Sequence, residues 1–411
     1  MGVEIRSIEP GEVIDWLRAQ DVPWGERSTD DELRLYAEAV EPARALVAVD
    51  GGRFVGFAAI ISSAIGLPGG RRAGAAAVTA VGVYPTHRRR GILRSMMERQ
   101  LHGLREGGEP CAILGASESV IYRRFGYGVA SYADRFDIET AHAAFRRPLE
   151  PRGRMEMVDW ETFLRSAPQV YRRVCSDSGG IAGTIDRPMG YWRAHTGDPK
   201  GEDEPFGPRR YALHRDDAGV VDGYVMYRPR VRWEDNDLAA YELRLEELCG
   251  PPDVEPQLWF FVLHHDLVRS VSGYRRPPDD ALGHLLRDPR RLRRTPIDDL
   301  WVRPLDVVAL LEARRYPASG RLVLAVADEF CPWVAGTYEL DGGPEGAACR
   351  RTTASPDLAI DAAGLGSILL GGVSPTALLR AGLLEEHASG AAARAAAMFS
   401  WHRAPWNLGE F

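Results

Sequence analysis

Three arginines and a glycine, Arg88-Arg89-Arg90-Gly91, stand between an apolar run that ends at Val83 and a run of helical periodicity that begins at Ile92. These residue types in this order bind anions. Guanidinium groups match phosphate oxygens in geometry as well as in charge. A glycine turn at a helix start leaves backbone N–H groups and the positive helix end pointing at one spot. Downstream comes Ile121-Tyr122-Arg123-Arg124-Phe125-Gly126-Tyr127, where a phenol can supply a proton. The chain thus offers a seat for a phosphorylated ligand with an acid after it. The five cysteines are scattered without a C-x-x-C pair. That argues against a disulfide framework and against a metal site, and favours a reducing, cytoplasmic setting.

Regular elements must position these groups. Residues 78–83 read as a strand that stops before Pro85, which cannot donate to a ladder. Residues 92–104 read as a helix, with Ile92, Met96, Met97, Leu101 and Leu104 on one face, and residues 111–114 as the next strand. Before them the pattern predicts a strand at 5–8, a helix at 12–20 and a loop at 21–26 carrying Trp24 and Glu26. A helix start at Ser28-Thr29-Asp30-Asp31 follows, then a hairpin of 45–49 and 54–61 across Asp50-Gly51-Gly52. The proline- and arginine-rich stretch 147–152 reads as a linker. The centre repeats the order of the first part: a helix at 160–174, strands at 211–214, 223–227 and 241–248, and an apolar helix at 257–267. It lacks the arginine turn, since Cys249-Gly250-Pro251-Pro252 stands there instead. A second copy of the fold would therefore be structural. The last part predicts strands at 321–327, 332–340, 347–352 and 358–360, and helices at 305–315, 362–370, 375–381 and 391–399. The tail, from Trp401 through Trp406 to Phe411, is too apolar for a frayed terminus and is expected to dock.

Composition removes other classes of partner. A formal charge of -7 disfavours a nucleic-acid polyanion. No apolar run approaches the roughly 18 residues of a membrane span, and the start of the chain has no signal-peptide pattern. Lys200 is the only lysine, so arginine carries nearly all the positive charge.

The strand, basic turn, helix, strand and tyrosine run together resemble the Gcn5-related N-acetyltransferase superfamily. Its pyrophosphate loop has the pattern Gln/Arg-x-x-Gly-x-Gly/Ala. Arg88 and Gly91 match it, and Leu93 departs from the small third residue. The run from Ile121 to Tyr127 resembles the Tyr-x-x-x-Gly-Phe signature at the acetyl end. In that setting the pantetheine arm of acetyl-CoA pairs with the backbone of Val81, Gly82 and Val83 as an added strand. Its diphosphate rests on the N–H groups of Arg89, Arg90, Gly91, Ile92, Leu93 and Arg94. An amine attacking a thioester needs a neutral nitrogen, support for the oxygen that gains charge, and a proton for the leaving thiolate. Tyr122 can protonate the sulfur, and Tyr127 matches a packing aromatic.

The runs PTHRRRGIL and ASESVIYRRFGYG, the second domain without a phosphate turn, and the ending Glu410-Phe411 resemble the enhanced intracellular survival (Eis) family across the whole chain. Leu369-Leu370-Gly371-Gly372 and Ala381-Gly382 resemble the sterol-carrier-protein-like domain that ends those enzymes. The resemblance implies an α+β chain of two tandem acetyltransferase folds, the second degenerate, followed by the carrier-like domain, here at 1–147, 148–297 and 298–411. It implies a homohexamer that transfers acetyl from acetyl-CoA to primary amines of aminoglycoside-like or polyamine small molecules. It also implies Tyr122 as general acid, the C-terminal carboxylate of Phe411 as general base, and Ser117 and Glu118 as further acetyl-CoA contacts. Burial of that carboxylate would raise it above its reference range of roughly 3.3–3.7, towards a useful base. Trp24, Glu26 and Glu410, with Asp30 and Tyr36, are candidates for an acidic, aromatic pocket complementary to a polycation. Other readings are a silent acyl-CoA-binding protein, a protein-lysine acetyltransferase, or a lipid carrier through the last domain. The small residues of 362–397 suit tight helix packing better than a lipid tunnel.

Overall fold

The computed structural model describes residues 2–177, 180–197 and 205–409. Its first sheet grows from the hairpin that the Asp50-Gly51-Gly52 turn predicts. The strands Leu46–Asp50, Arg53–Gly66 and Arg72–Val83 pair antiparallel, with Glu4–Ser7 outside them. Arg72–Val83 then pairs parallel with Cys111–Leu114. A parallel pair needs a crossover, and the helix Ile92–Glu106 supplies it. Its buried residues Ile92, Met96, Met97, Gln100, Leu101 and Leu104 follow the three- and four-residue spacing read from the sequence. Trp301–Pro304 and Gly128–Val129 complete the sheet.

The second sheet repeats this plan. Arg210–Arg215, Val221–Arg230 and Tyr241–Cys249 are antiparallel neighbours, and the helix Glu255–Leu263 crosses to Val268–Arg276, which lies parallel to Tyr241–Cys249. The remaining members are Arg154–Val158 outside Arg210–Arg215, and Tyr132–Glu139 and Arg293–Asp298 at the opposite edge. Tyr132–Glu139 directly follows a strand of the first sheet, and Trp301–Pro304 directly follows a strand of the second. The two sheets therefore exchange strands. A boundary near 147 leaves Tyr132–Glu139 on the wrong side of its hydrogen bonds, and one at 297 assigns Trp301–Pro304 to the last domain although it pairs in the first sheet. Alternation predicts a strand, but it is silent about which sheet that strand joins.

The third sheet orders Gly346–Arg351, Gly336–Gly343, Gly320–Ala327, Leu358–Asp361 and Leu384–Glu386. Its helix Ala362–Leu369 is buried along its whole length. Small residues let it lie almost on the backbone of the first sheet. A Cβ at Gly128 would stand 1.7 Å from the Ala363 carbonyl oxygen, and one at Gly366 would stand 2.3 Å from that of Val302. Buried Arg314 donates to the carbonyls of Leu369 and Phe399, at the ends of Ala362–Leu369 and Ala391–Phe399, and so satisfies orphaned groups of two helices at once. Burial lowers its pKa to about 10, which leaves it charged at neutral pH.

Several element boundaries move, among them the strand read as 78–83, which begins at Arg72, and the strand read as 54–61, which runs to Gly66. Residues 21–24 of the expected loop are helical, because the helix Val13–Trp24 runs through Pro23 and ends at its cap residue Gly25. Proline cannot bond back to the Ala19 carbonyl, and the Tyr84 hydroxyl takes that acceptor instead at 3.1 Å. The helix expected to reach 267 ends at Leu263, and the strand expected from 332 begins at Gly336, after a turn in which Val334 N–H bonds to the Cys331 carbonyl. The described part of the tail docks as expected, with Trp406 and Leu408 buried.

Candidate active site

Past Ala77 and Ile113 the two parallel strands of the first sheet separate. A bulge drives the separation. Between Phe57 and Ala59 of the neighbouring strand, Arg72–Val83 inserts an extra residue, and Ala80 there adopts a left-handed φ of 53°. Gly82 and Val83 still pair on one side, with Phe57 and Gly56, while the other side opens into a cleft of about 760 Å³. Val81, Gly82, Val83, Arg88, Arg89, Gly91, Ile92, Leu93, Arg94, Ser117, Glu118 and Tyr122 all line it. Sequence reading thus named residues distant along the chain that the fold brings to one cavity. Arg90 lies outside the lining and reaches back to Asp50 at 3.2 Å, where its guanidinium holds the Asp50 carboxyl below the usual range.

The anion seat has the geometry its residues predict. Gly91 is the N-cap residue of Ile92–Glu106 at a φ of 82°, with no side chain capping the helix. The first N–H groups are therefore open to a ligand, and exposed arginines surround them. A diphosphate fits here. No group of three or more His, Cys, Asp or Glu among the described residues is placed to hold a metal ion. The counterpart in the second sheet does not fit. Pro256 removes an N–H in the first turn of Glu255–Leu263, and half-buried Glu255 sits at the helix start with Arg403 at 3.8 Å. A diphosphate would meet a carboxylate there.

Tyr122 ends the short helix Ser119–Tyr122 and is 4% exposed. Burial, with Glu118 nearby, pushes its phenol up to about 12. No hydrogen bond from its hydroxyl is found among the described residues, although its ring packs edge-on against Tyr127 at 6.0 Å. Tyr127 is wholly buried and belongs to the core. The acids of the cleft wall are few. His87 is engaged at both ring nitrogens, by Thr86 at 2.8 Å and Asp50 at 3.2 Å, which leaves Glu118 as the carboxylate among the described lining residues.

On the acceptor side, Trp24 lines the cleft, and a Cβ at Gly82 would touch Pro23 at 3.2 Å, so the end of Val13–Trp24 lies against the open strand. Glu26 stands outside the lining. Partial burial beside Asp21 and Glu32 raises its carboxyl above the ordinary value. Asp30 pairs with Arg18 at 2.8 Å in the first turn of Asp30–Ala37, and Tyr36 is 41% exposed on that helix. Glu410 and Phe411 lie outside the described residues. Sequence reading missed Pro23, His87, Ile121, Arg124 and Phe125 in the cleft wall, although Ile121, Arg124 and Phe125 sit inside the quoted tyrosine run.

This geometry suits an extended, phosphorylated ligand, and comparison with known proteins gives the class of protein. Residues 4–130 and 183–304 each match an acetyltransferase (GNAT) domain, and residues 307–408 match a sterol carrier protein domain. An uncharacterized N-acetyltransferase of Streptomyces avermitilis is 34% identical over 98% of this chain and 97% of its own. The N-acetyltransferase Eis of Mycobacterium bovis is 32% identical over 78% of this chain and 77% of its own. The crystal structure of Eis1 from Mycobacterium abscessus superposes with a TM-score of 0.84 at 32% identity, covering 99% of this chain and 100% of that one. The chain belongs to the Eis family of GCN5-related N-acetyltransferases. It is an N-acetyltransferase of two acetyltransferase folds and a sterol-carrier domain, and the fold implies acetyl-CoA as co-substrate.

Proposed function

We propose that the enzyme acetylates primary amines of small polycationic molecules, of the polyamine or aminoglycoside type, with Tyr122 as general acid and the carboxylate of Phe411 as general base. Acetyl-CoA supplies the activated acetyl group and a thiolate leaving group. The observation that carries the reading is the single cleft that joins an open strand edge, an uncapped helix start ringed by arginines, and the Tyr122 phenol. The backbone edge of Val81, Gly82 and Val83 holds an extended arm in register, and the N–H groups from Ile92 onward take the diphosphate. With those parts held, Tyr122 would donate its proton to the leaving sulfur as charge builds there. A protonated amine must first lose a proton, and His87 is already engaged on both nitrogens. Trp24 and the raised carboxyl of Glu26 favour a cation on the open side.

The test is thiol release from acetyl-CoA with a panel of amines, run on the wild type, Glu118→Gln, a chain lacking Phe411, and a chain extended by two residues. Turnover that prefers polyamines over monoamines, survives Glu118→Gln, and collapses in both terminal variants is the expected result. Full turnover by the extended chain would remove Phe411 from the mechanism. No amine-dependent release at all would leave an acyl-CoA-binding protein.

A further inference from the structure

The second sheet has a splay of its own. Tyr241–Cys249 and Val268–Arg276 run parallel as far as Leu245 and Gly273, and then part. A bulge accompanies the parting here too. Met226 and Tyr227 face Glu247 and Leu245, so Glu246 is the extra residue, and across the gap Arg275 takes a left-handed φ of 56°. By strand order, crossover helix and bulge, this opening corresponds to the one that receives the thioester arm in the first sheet. What enters it is the chain itself.

Residues 406–409 run into the mouth of the opening. The Trp406 indole N–H donates to the Arg275 carbonyl at 2.5 Å, and its backbone N–H donates to Ala182 at 2.8 Å. The Arg276 guanidinium lies 4.9 Å over the same ring. Arg275 returns a bond from Nη1 to the Gly409 carbonyl at 3.0 Å, and the Asn407 amide reaches that carbonyl at 2.6 Å. Leu408 and Gly409 then line a cavity of about 490 Å³ with Glu246, Glu247 and Arg187. The fit at Gly409 is close. A Cβ there would stand 2.1 Å from the Tyr191 hydroxyl and 2.6 Å from Arg187 Nη2. Arg187 is held against this contact by Glu247 at 2.9 Å and by the rings of Tyr171, Tyr191 and Trp192.

We infer that the splay of the second domain is a receptor for the chain's own C-terminal segment, with Arg275, Arg187 and Tyr191 as positioning residues that fix Gly409. The degenerate fold thus keeps the opening and exchanges its ligand for a tethered one. The inference gives the second domain a part in the proposed acetyl transfer and rests on that reading for its kinetic consequence, though not for the docking.

The test uses full-length protein and Gly409→Ala, which adds the one carbon the pocket has no room for. Misplacement of about 1 Å near reacting groups costs on the order of 100-fold, so kcat should fall by that order while KM for acetyl-CoA stays unchanged. Carboxypeptidase should release Phe411 faster from the variant, read by mass. Adding Tyr191→Phe, which removes the atom at 2.1 Å, should restore part of both. Arg275→Lys should keep more protection than Arg275→Ala. Wild-type carboxypeptidase release in Gly409→Ala and Arg275→Ala would overturn the docking. Altered release without loss of kcat would keep the docking and dismiss the terminal residues from catalysis.

Discussion

At the scale of single residues, a phenol that burial and Glu118 push up to about 12 stays protonated at every pH at which the fold is assayed. Its pKa is raised, so the neutral form is present below the ordinary tyrosine value of roughly 10 and is lost only as pH climbs through the raised one. We therefore expect no alkaline loss of kcat from Tyr122 below about pH 10. Tyr122→Phe removes the proton and little else, because the hydroxyl makes no hydrogen bond among the described residues. General acid catalysis contributes typically 10²- to 10⁴-fold, so kcat for thiol release should drop within that range with the melting temperature nearly unchanged. A variant that retains full kcat would return the sulfur's proton to solvent. The place of Tyr122 in the cleft wall was legible because it sits in a recognisable run, Ile121 to Tyr127. Arg187 and Arg275 were not, since an arginine's role as an anchor depends on what folds against it.

At the scale of elements, the strand, turn and helix from Val78 to Leu104 were the most legible part of the chain, although the strand begins earlier, at Arg72. Periodicity, a proline stop and a glycine turn all point the same way there. The bulge at Ala80 was not legible, because nothing in an apolar run marks where an extra residue will enter. The turn offers a separate test of the anion seat. Gly91 has a φ of 82°, and a Cβ there would meet nothing within 4 Å. Gly91→Ala thus isolates backbone strain from steric clash. A left-handed conformation costs an ordinary residue about 1–2 kcal/mol. If the turn relaxes to escape that cost, its N–H groups leave the diphosphate, and KM for acetyl-CoA should rise about tenfold, since 1.4 kcal/mol is a factor of ten. KM for the amine should hold. Equal rises in both would place the turn's effect in the fold rather than in the seat.

At the scale of the whole molecule, the two exchanged strands and the tail meet at one buried carboxylate. Order along the chain predicts domains one after another, so neither the exchange nor this junction could be read from the sequence. Asp299 lies between Arg293–Asp298 and Trp301–Pro304, where the chain passes from the second sheet to the first, and Ser131 lies where it passes the other way. The Ser131 hydroxyl donates to Asp299 at 3.2 Å, Arg275 stands 3.7 Å away, and the Asn407 backbone N–H bonds to the carboxyl from the tail. Burial is the largest influence and outweighs these partners, so its pKa rises from 3.8 to about 6, with Asp298 adding to the rise. A raised pKa means the folded state holds this proton more tightly than the unfolded one. The stability it carries is full below 3.8 and is lost as pH rises through about 6. The shift corresponds to about 3 kcal/mol between those limits, at 1.36 kcal/mol per unit. Asp299→Asn keeps the acceptor and removes the titration. The stability of the variant relative to the wild type should therefore be greater at pH 8 than at pH 4.5, by an amount of that order, in denaturant titrations at both values. Subtracting the two proteins cancels the titration of every other group. A difference that does not change with pH would mean that Asp299 is charged in both states, and that Arg275 compensates for its burial in full.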